Sequence, residues 1–308
     1  MFFFASVPLV AWGLALAVLI GLMVLNEVSR RSKLTGIIFF IAIPVILSIF
    51  VWPKTSGANS GAATANWFQW AKTYSAIAGC LIFMGLRFSE KIRAKRWYYV
   101  LPMAILNLNI AEAVVREFQV AGMGNQVING MTYIGGPWNI MNAVAGILTA
   151  LTVTGWFGII ISKDKTKDMV WPDMTWFWII AYDLWNVAYL YNCVTDRAVY
   201  GGLVLLLAAT IPAFTIKKGA WLQHRAHTLA IWMMIVMSFP DFFTVGKYAI
   251  ASSHNPAAYY LISIIALLFN VGVAVFEIYT VVKMKKNPLK DEVYSELETF
   301  KKIKDANI

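Results

Sequence analysis

The chain has 308 residues, of which 59% are hydrophobic, 15% aromatic and only 14% charged. That balance, with a mean hydropathy of +0.64, lies far outside soluble-domain usage and leaves no room for a separate soluble catalytic domain. The formal net charge of +10 would suggest nucleic acid as a partner in a soluble protein; here the basic residues sit between apolar runs, so nucleic-acid binding is excluded in favour of membrane orientation and contact with anionic lipid.

Nine apolar stretches are expected as transmembrane helices: 6–26, 35–52, 67–86, 98–118, 140–162, 171–194, 200–216, 221–242 and 257–282. Each is close to the roughly 20 residues that cross a hydrocarbon core of about 30 Å. Helices are expected because backbone groups in lipid must satisfy one another within the segment. The first stretch has no basic run before it and is followed by Arg30, Arg31 and Lys33. That order opposes a cleaved signal peptide and predicts a retained first span.

The gaps after the first, third, fifth and seventh stretches carry three, five, three and three Lys or Arg, counting Arg225 at the head of the eighth stretch with the last of these, and the residues after 282 carry seven. The opposite gaps hold only Lys54, Arg197 and Lys247. By the positive-inside rule this predicts an N-outside, C-inside topology. The expected fold is therefore all-α, a polytopic helical membrane bundle over 1–286. A cytoplasmic tail, 287–308, places Val293, Leu297, Phe300 and Ile303 at helical spacing and reads as an amphipathic helix on the inner leaflet. The segment 119–139 is Gly- and Asn-rich yet apolar enough to fold back on the outer face.

Ionisable and amide side chains at membrane depth are costly and mark candidate sites. In the fourth stretch Asn109, Glu112 and Arg116 share one helical face, where Glu112 and Arg116 can pair within the helix. In the sixth, Tyr182, Asp183, Asn186, Tyr189 and Cys193 share an arc of about 120°, with Asp183 near mid-span. Asn270 of the ninth stretch is a candidate partner for Asp183, on one stripe with Ser263 and Glu277. Lys72, Asn139, Asn142 and Asp241 fall at similar outer depth. Together they suggest a polar vestibule narrowing from outside towards Asp183.

Other motifs carry less. His224 and His227 lack further ligands nearby in sequence and read as interfacial, so no metal site is expected. Lys247 lies at a helix end, which argues against a retinal Schiff base. No nucleotide-binding loop, GxSxG or HExxH pattern occurs, and no cofactor is implied. Cys80 and Cys193 lie inside spans, against a disulfide.

The segments NEVSRRSK, FVWPKT, LNIAEAVVREF and WIIAYDLWNVAYLYN resemble a prokaryotic family of multi-pass membrane proteins grouped as a domain of unknown function. The resemblance implies a prokaryotic cytoplasmic membrane and supplies no activity or site residue. From the residues alone, the expectation is a transporter or channel for a small cation or polar solute, with lipid as its surroundings. The alternatives are a sensor for an extracellular ligand or, further off, a membrane enzyme using His224 or Glu90.

Overall fold

A computed structural model describes residues 2–128 and 131–308. It is an all-α bundle whose long helices are α1 (Leu9–Arg30), α2 (Lys33–Phe50), α3 (Trp67–Phe88) and α4 (Arg96–Met123), then α5 (Pro137–Leu151), α6 (Trp176–Cys193), α7 (Thr195–Thr215), α8 (Trp221–Ser238) and α9 (Pro256–Met284). A short α10 (Glu298–Asp305) closes the chain. Strands are minor among the described residues. A hairpin joins β1 (Asn125–Ile128) to β2 (Met131–Ile134), with Asn125 opposite Ile134, and a two-residue ribbon pairs β3 (Ile160–Ile161) with β4 (Met169–Val170).

Five of these helices, α1, α2, α4, α7 and α9, are long and apolar enough to cross a membrane. Their outward faces carry large apolar side chains in the open: Leu9 is 87% exposed, Val282 70%. A water-soluble protein does not leave contiguous surfaces of this kind bare, so they are the mark of a membrane protein. The other expected stretches also contain helices, but shorter or more polar ones.

The burial gradient runs inward to α8. Of its 18 residues, 16 are buried, and it packs against α1, α3 and α7. The other half of the bundle is built from α4, α5, α6 and α9. Successive helices alternate in direction. One end of the bundle, the hairpin end, gathers the N-terminal segment, β1–β2 and residues near 252, where Phe4 bridges Ser252. The tail end gathers Arg30, Arg87, the start of α8 and the C-terminal segment.

Two helices contain π-helical turns, Ile38–Ala42 in α2 and Ala198–Val204 in α7. Pro44 follows the first and lacks an N–H to continue the regular ladder. In the second, Gly201 lets the Trp232 indole approach; a Cβ there would lie 3.3 Å from its Nε1.

The fifth stretch departs from the expectation of a helix over 140–162. Helix α5 stops at Leu151 and, at 1.5 Å per residue, is only about 22 Å long. Thr152 and Thr154 are β-branched, and Gly155 adopts a left-handed φ of 66°, a conformation that costs other residues about 1–2 kcal/mol. A Cβ at Gly155 would also run into the Asp173 side chain. Residues 152–175 therefore fold as a plug over the tail end, not as more helix.

That plug is tied in by two carboxylates. Asp168 is fully buried. It takes Arg30 Nη1 at 2.6 Å, Gln223 Nε2 at 2.6 Å and the Thr166 hydroxyl at 2.6 Å, with Arg87 Nη2 at 3.8 Å. Asp173 takes the Thr154 hydroxyl at 2.5 Å and the backbone N–H groups of Val293 and Tyr294 at 3.2 and 2.8 Å. Val293, Tyr294 and Phe300 are buried against the body of the protein. Burial pushes the Asp173 carboxyl above its ordinary range, against those hydrogen bonds, which hold it down.

Candidate functional site: a cationic cavity around Arg225

Two small cavities lie end to end among α3, α4, α6, α7 and α8, and Arg225 and Leu229 line both. The one nearer the hairpin end has a volume of about 60 Å³ and is lined by Gln69, Lys72, Asn186, Tyr189, Arg197 and Trp232 among others. The second, about 30 Å³, reaches towards the tail end past Ser75, Gly79, Asn109, Tyr182 and Leu222. Arg225 thus stands between an upper and a lower chamber.

The electrostatics of the upper chamber are one-sided. Lys72 donates to Glu112 Oε2 at 3.2 Å and to the Asn109 carbonyl at 2.8 Å. Arg197 donates Nη2 to the Pro240 carbonyl at 2.9 Å. Arg225 is 5% exposed, and its only hydrogen bond among the described residues is a long one, 3.4 Å to Asn186 Oδ1. No carboxylate lies within 4 Å of either arginine among the described residues. The Nε and Nη1 groups of Arg225, Nε of Arg197 and the Tyr189 hydroxyl are buried without a partner. Burying a charge without compensation costs several kcal/mol.

Several expected site residues line these chambers: Lys72, Asn186 and Tyr189 the upper, Asn109 and Tyr182 the lower. Tyr182 stacks on Trp178 with ring centres 5.5 Å apart. Others lie elsewhere. Asp183 faces α7, where the Thr210 hydroxyl donates to it at 2.6 Å and is itself held by Trp221 Nε1; it lines neither chamber. Asn270 accepts from Thr149 and donates to the Ala181 and Ala266 carbonyls, tying α9 to α5 and α6 and not to Asp183. Asp241 is exposed in the loop after α8.

The pairing of Glu112 also differs from the expected one. Its ion-pair partner is Lys72, across two helices, whereas Arg116 donates to Gln119 and lies over the Tyr133 ring at 5.0 Å. Asn139 and Asn142 sit by a carboxylate that the residue pattern had not singled out, Glu117, which is fully buried. His224 and His227, in the first two turns of α8, are buried, with Nδ1 atoms 2.8 Å from Asn26 Nδ2 and 3.1 Å from Ser29 Oγ. Arg225, between them, was counted with the basic residues of the seventh gap; the structure places it one turn into α8, facing the cavities.

Fold and surface thus define the protein as an all-α helical bundle of the membrane type, with a cation-lined cavity among its central helices. The chain belongs to the Family of unknown function (DUF5692), whose sequence model matches residues 5–306. Neither a curated protein nor a solved structure matches it.

Proposed function

We propose that the protein is a multi-pass transport protein of the cytoplasmic membrane, a transporter or channel, moving a small anionic solute past Arg225. Nine crossings with the N-terminus outside and the C-terminus inside follow from the charge alternation, and the alternating helix directions support them. The tail end is then cytoplasmic.

The observation that carries the reading is Arg225: a buried guanidinium with two unpartnered N–H groups between two chambers in line. A guanidinium presents flat paired donors to oxyanions, and inside a membrane protein an unpaired ionisable group marks a solute pathway. Lys72 and Arg197 add positive charge, and Tyr189, Asn186 and Gln69 add hydrogen-bonding groups. This lining turns the expected solute from a cation to an anion. A water-sized atom needs roughly 10–15 Å³ of such volume, so 60 Å³ suits an anion of about four non-hydrogen atoms.

The test is heat stability of the purified protein with chloride, formate, acetate, phosphate or sulfate, followed by flux of the stabilising anion into proteoliposomes. At least one anion raises the melting temperature and crosses, and Arg225→Gln loses both effects. If no anion in the set acts on wild type differently from Arg225→Gln, the proposal fails.

A further inference from the structure

We propose that Glu117, Asn142, Asn192 and Ser263 form a binding site for a monovalent metal cation near the hairpin end of the bundle. The site is separate from the cavity described above. The carboxylate of Glu117 is fully buried, and no Lys, Arg or His lies within 4 Å of it among the described residues. Three neutral amides surround it. Asn139 Nδ2 donates to Oε2 at 2.6 Å, Asn142 Nδ2 to Oε1 at 2.6 Å, and Asn192 Nδ2 to Oε1 at 3.4 Å.

The amides are not equivalent. Asn139 is fixed, because its Oδ1 accepts the Gly136 N–H at 3.0 Å at the start of α5. Asn142 and Asn192 are buried, yet their Oδ1 atoms have no partner. A buried carbonyl oxygen left unbonded costs about 1–3 kcal/mol, and two such oxygens on amides already touching one uncompensated carboxylate call for a common explanation. Turning each amide over exchanges its oxygen and nitrogen at almost no change in shape. The two oxygens then face Glu117 Oε1 together with the Ser263 hydroxyl, which Asn192 already contacts at 3.0 Å. Oxygens converging on a carboxylate repel unless a cation sits among them. The turn gives up the N–H bonds of Asn142 and Asn192 to Glu117 Oε1 and the long 3.3 Å bond from Asn142 to the Trp185 carbonyl, which bonds from the ion to the same oxygens replace, and it leaves Asn139 on Oε2.

The donor set fixes the class of ion. One carboxylate, two amide oxygens and one hydroxyl are hard ligands, which suit alkali and alkaline-earth ions over transition metals. A single negative charge balances a single positive one; divalent sites commonly use several carboxylates. Tyr189 and Asn192 share α6, so a helix that carries one cation ligand also carries a wall of the upper chamber. Coupling of the cation to anion movement rests on the transport reading; binding of the cation does not.

The experiment is thermal unfolding of the purified full-length chain at fixed pH in sodium, potassium or choline chloride, which holds the anion constant. Sodium or potassium is expected to raise the melting temperature by several degrees, saturably, and choline is not. Glu117→Gln and the double variant Asn142→Ala/Asn192→Ala lose the response, whereas Arg225→Gln keeps it. Radioactive sodium binding gives a second measure where a variant unfolds early. Equal melting in all three salts, a midpoint that follows pH and ignores the metal ion, or a sodium response retained in Glu117→Gln would each overturn the proposal.

Discussion

Lys72 and Glu112 meet at 3.2 Å between α3 and α4, with side chains 12% and 13% exposed. The pair explains how one cation of the cavity wall is held among the helices: the carboxylate neutralises it, and the Asn109 carbonyl takes a second N–H. Arg225 on the facing helix has no such carboxylate, and that asymmetry makes the cavity positive.

Removing only the acid should therefore be worse than removing both charges. Glu112→Gln strands Lys72 and is expected to cost about 3 kcal/mol, while Lys72→Met/Glu112→Gln recovers most of it. Thermal or denaturant unfolding of the three variants in detergent measures this; additive losses would contradict it.

Asp168 should be the most sensitive residue of the plug. Asp168→Asn leaves Arg87 buried with no carboxylate within 4 Å among the described residues and Arg30 with Glu27 alone, an expected loss of about 3 kcal/mol. Gln223→Ala removes one hydrogen bond to the same carboxylate and should cost about 1–3 kcal/mol. Melting curves that rank the two the other way would disprove the keystone role.

Asp164 gives the plug a pH dependence. Partial burial would raise its carboxyl, but Lys217, Thr166 and Ser162 together hold it well below the ordinary value of 3.8. A carboxyl lowered by folding contributes stability above that value, and the contribution fades as the pH falls through the folded one. Wild type should thus lose plug stability below pH 3.8, and Asp164→Asn, lacking this contribution throughout, should show a smaller drop there. Melting temperatures from pH 7 to pH 3 test the difference.

Gly155→Ala meets both a left-handed backbone and the Asp173 side chain. A loss of at least about 1 kcal/mol follows from the backbone alone. Because Asp173 also anchors Val293 and Tyr294, cleavage of the tail by trypsin near Lys290 should quicken in the same variant. Unchanged cleavage would separate Gly155 from the tail anchor.

The topology is open to labelling in intact cells. A cysteine replacing Ser60 should react with an impermeant thiol reagent directly, and one replacing Lys290 only after permeabilisation. Cys80 and Cys193 are buried and give little background.

The helices with bare apolar faces were legible because such faces show as unbroken apolar runs, as in α1, α2 and α9. The inner helices were harder, since other helices surround them. His224 and His227 look like interfacial residues because a membrane boundary is the commonest place for such residues; the structure buries them against Asn26 and Ser29 of α1. Glu117 had a readable signal. Ile110, Ala113, Glu117 and Val120 are buried at spacings of three and four, so the carboxylate lies on the packed stripe of α4. The neighbouring Glu112 and Arg116, on the flank, drew the attention. Which carboxylate pairs with which cation could not be read, because contacts between helices have no signature in one chain.

Asp173 has a partner that arrives late. Its ring of donors is completed by Val293 and Tyr294, which lie some 120 residues further along the chain and are joined after every bundle helix. Until then the plug over the tail end is fastened to the bundle through Asp168 but not to the tail. Released chains that end before residue 293 should therefore leave the segment around Asp173 open to proteases, so that its protection marks the arrival of the last stretch of the chain.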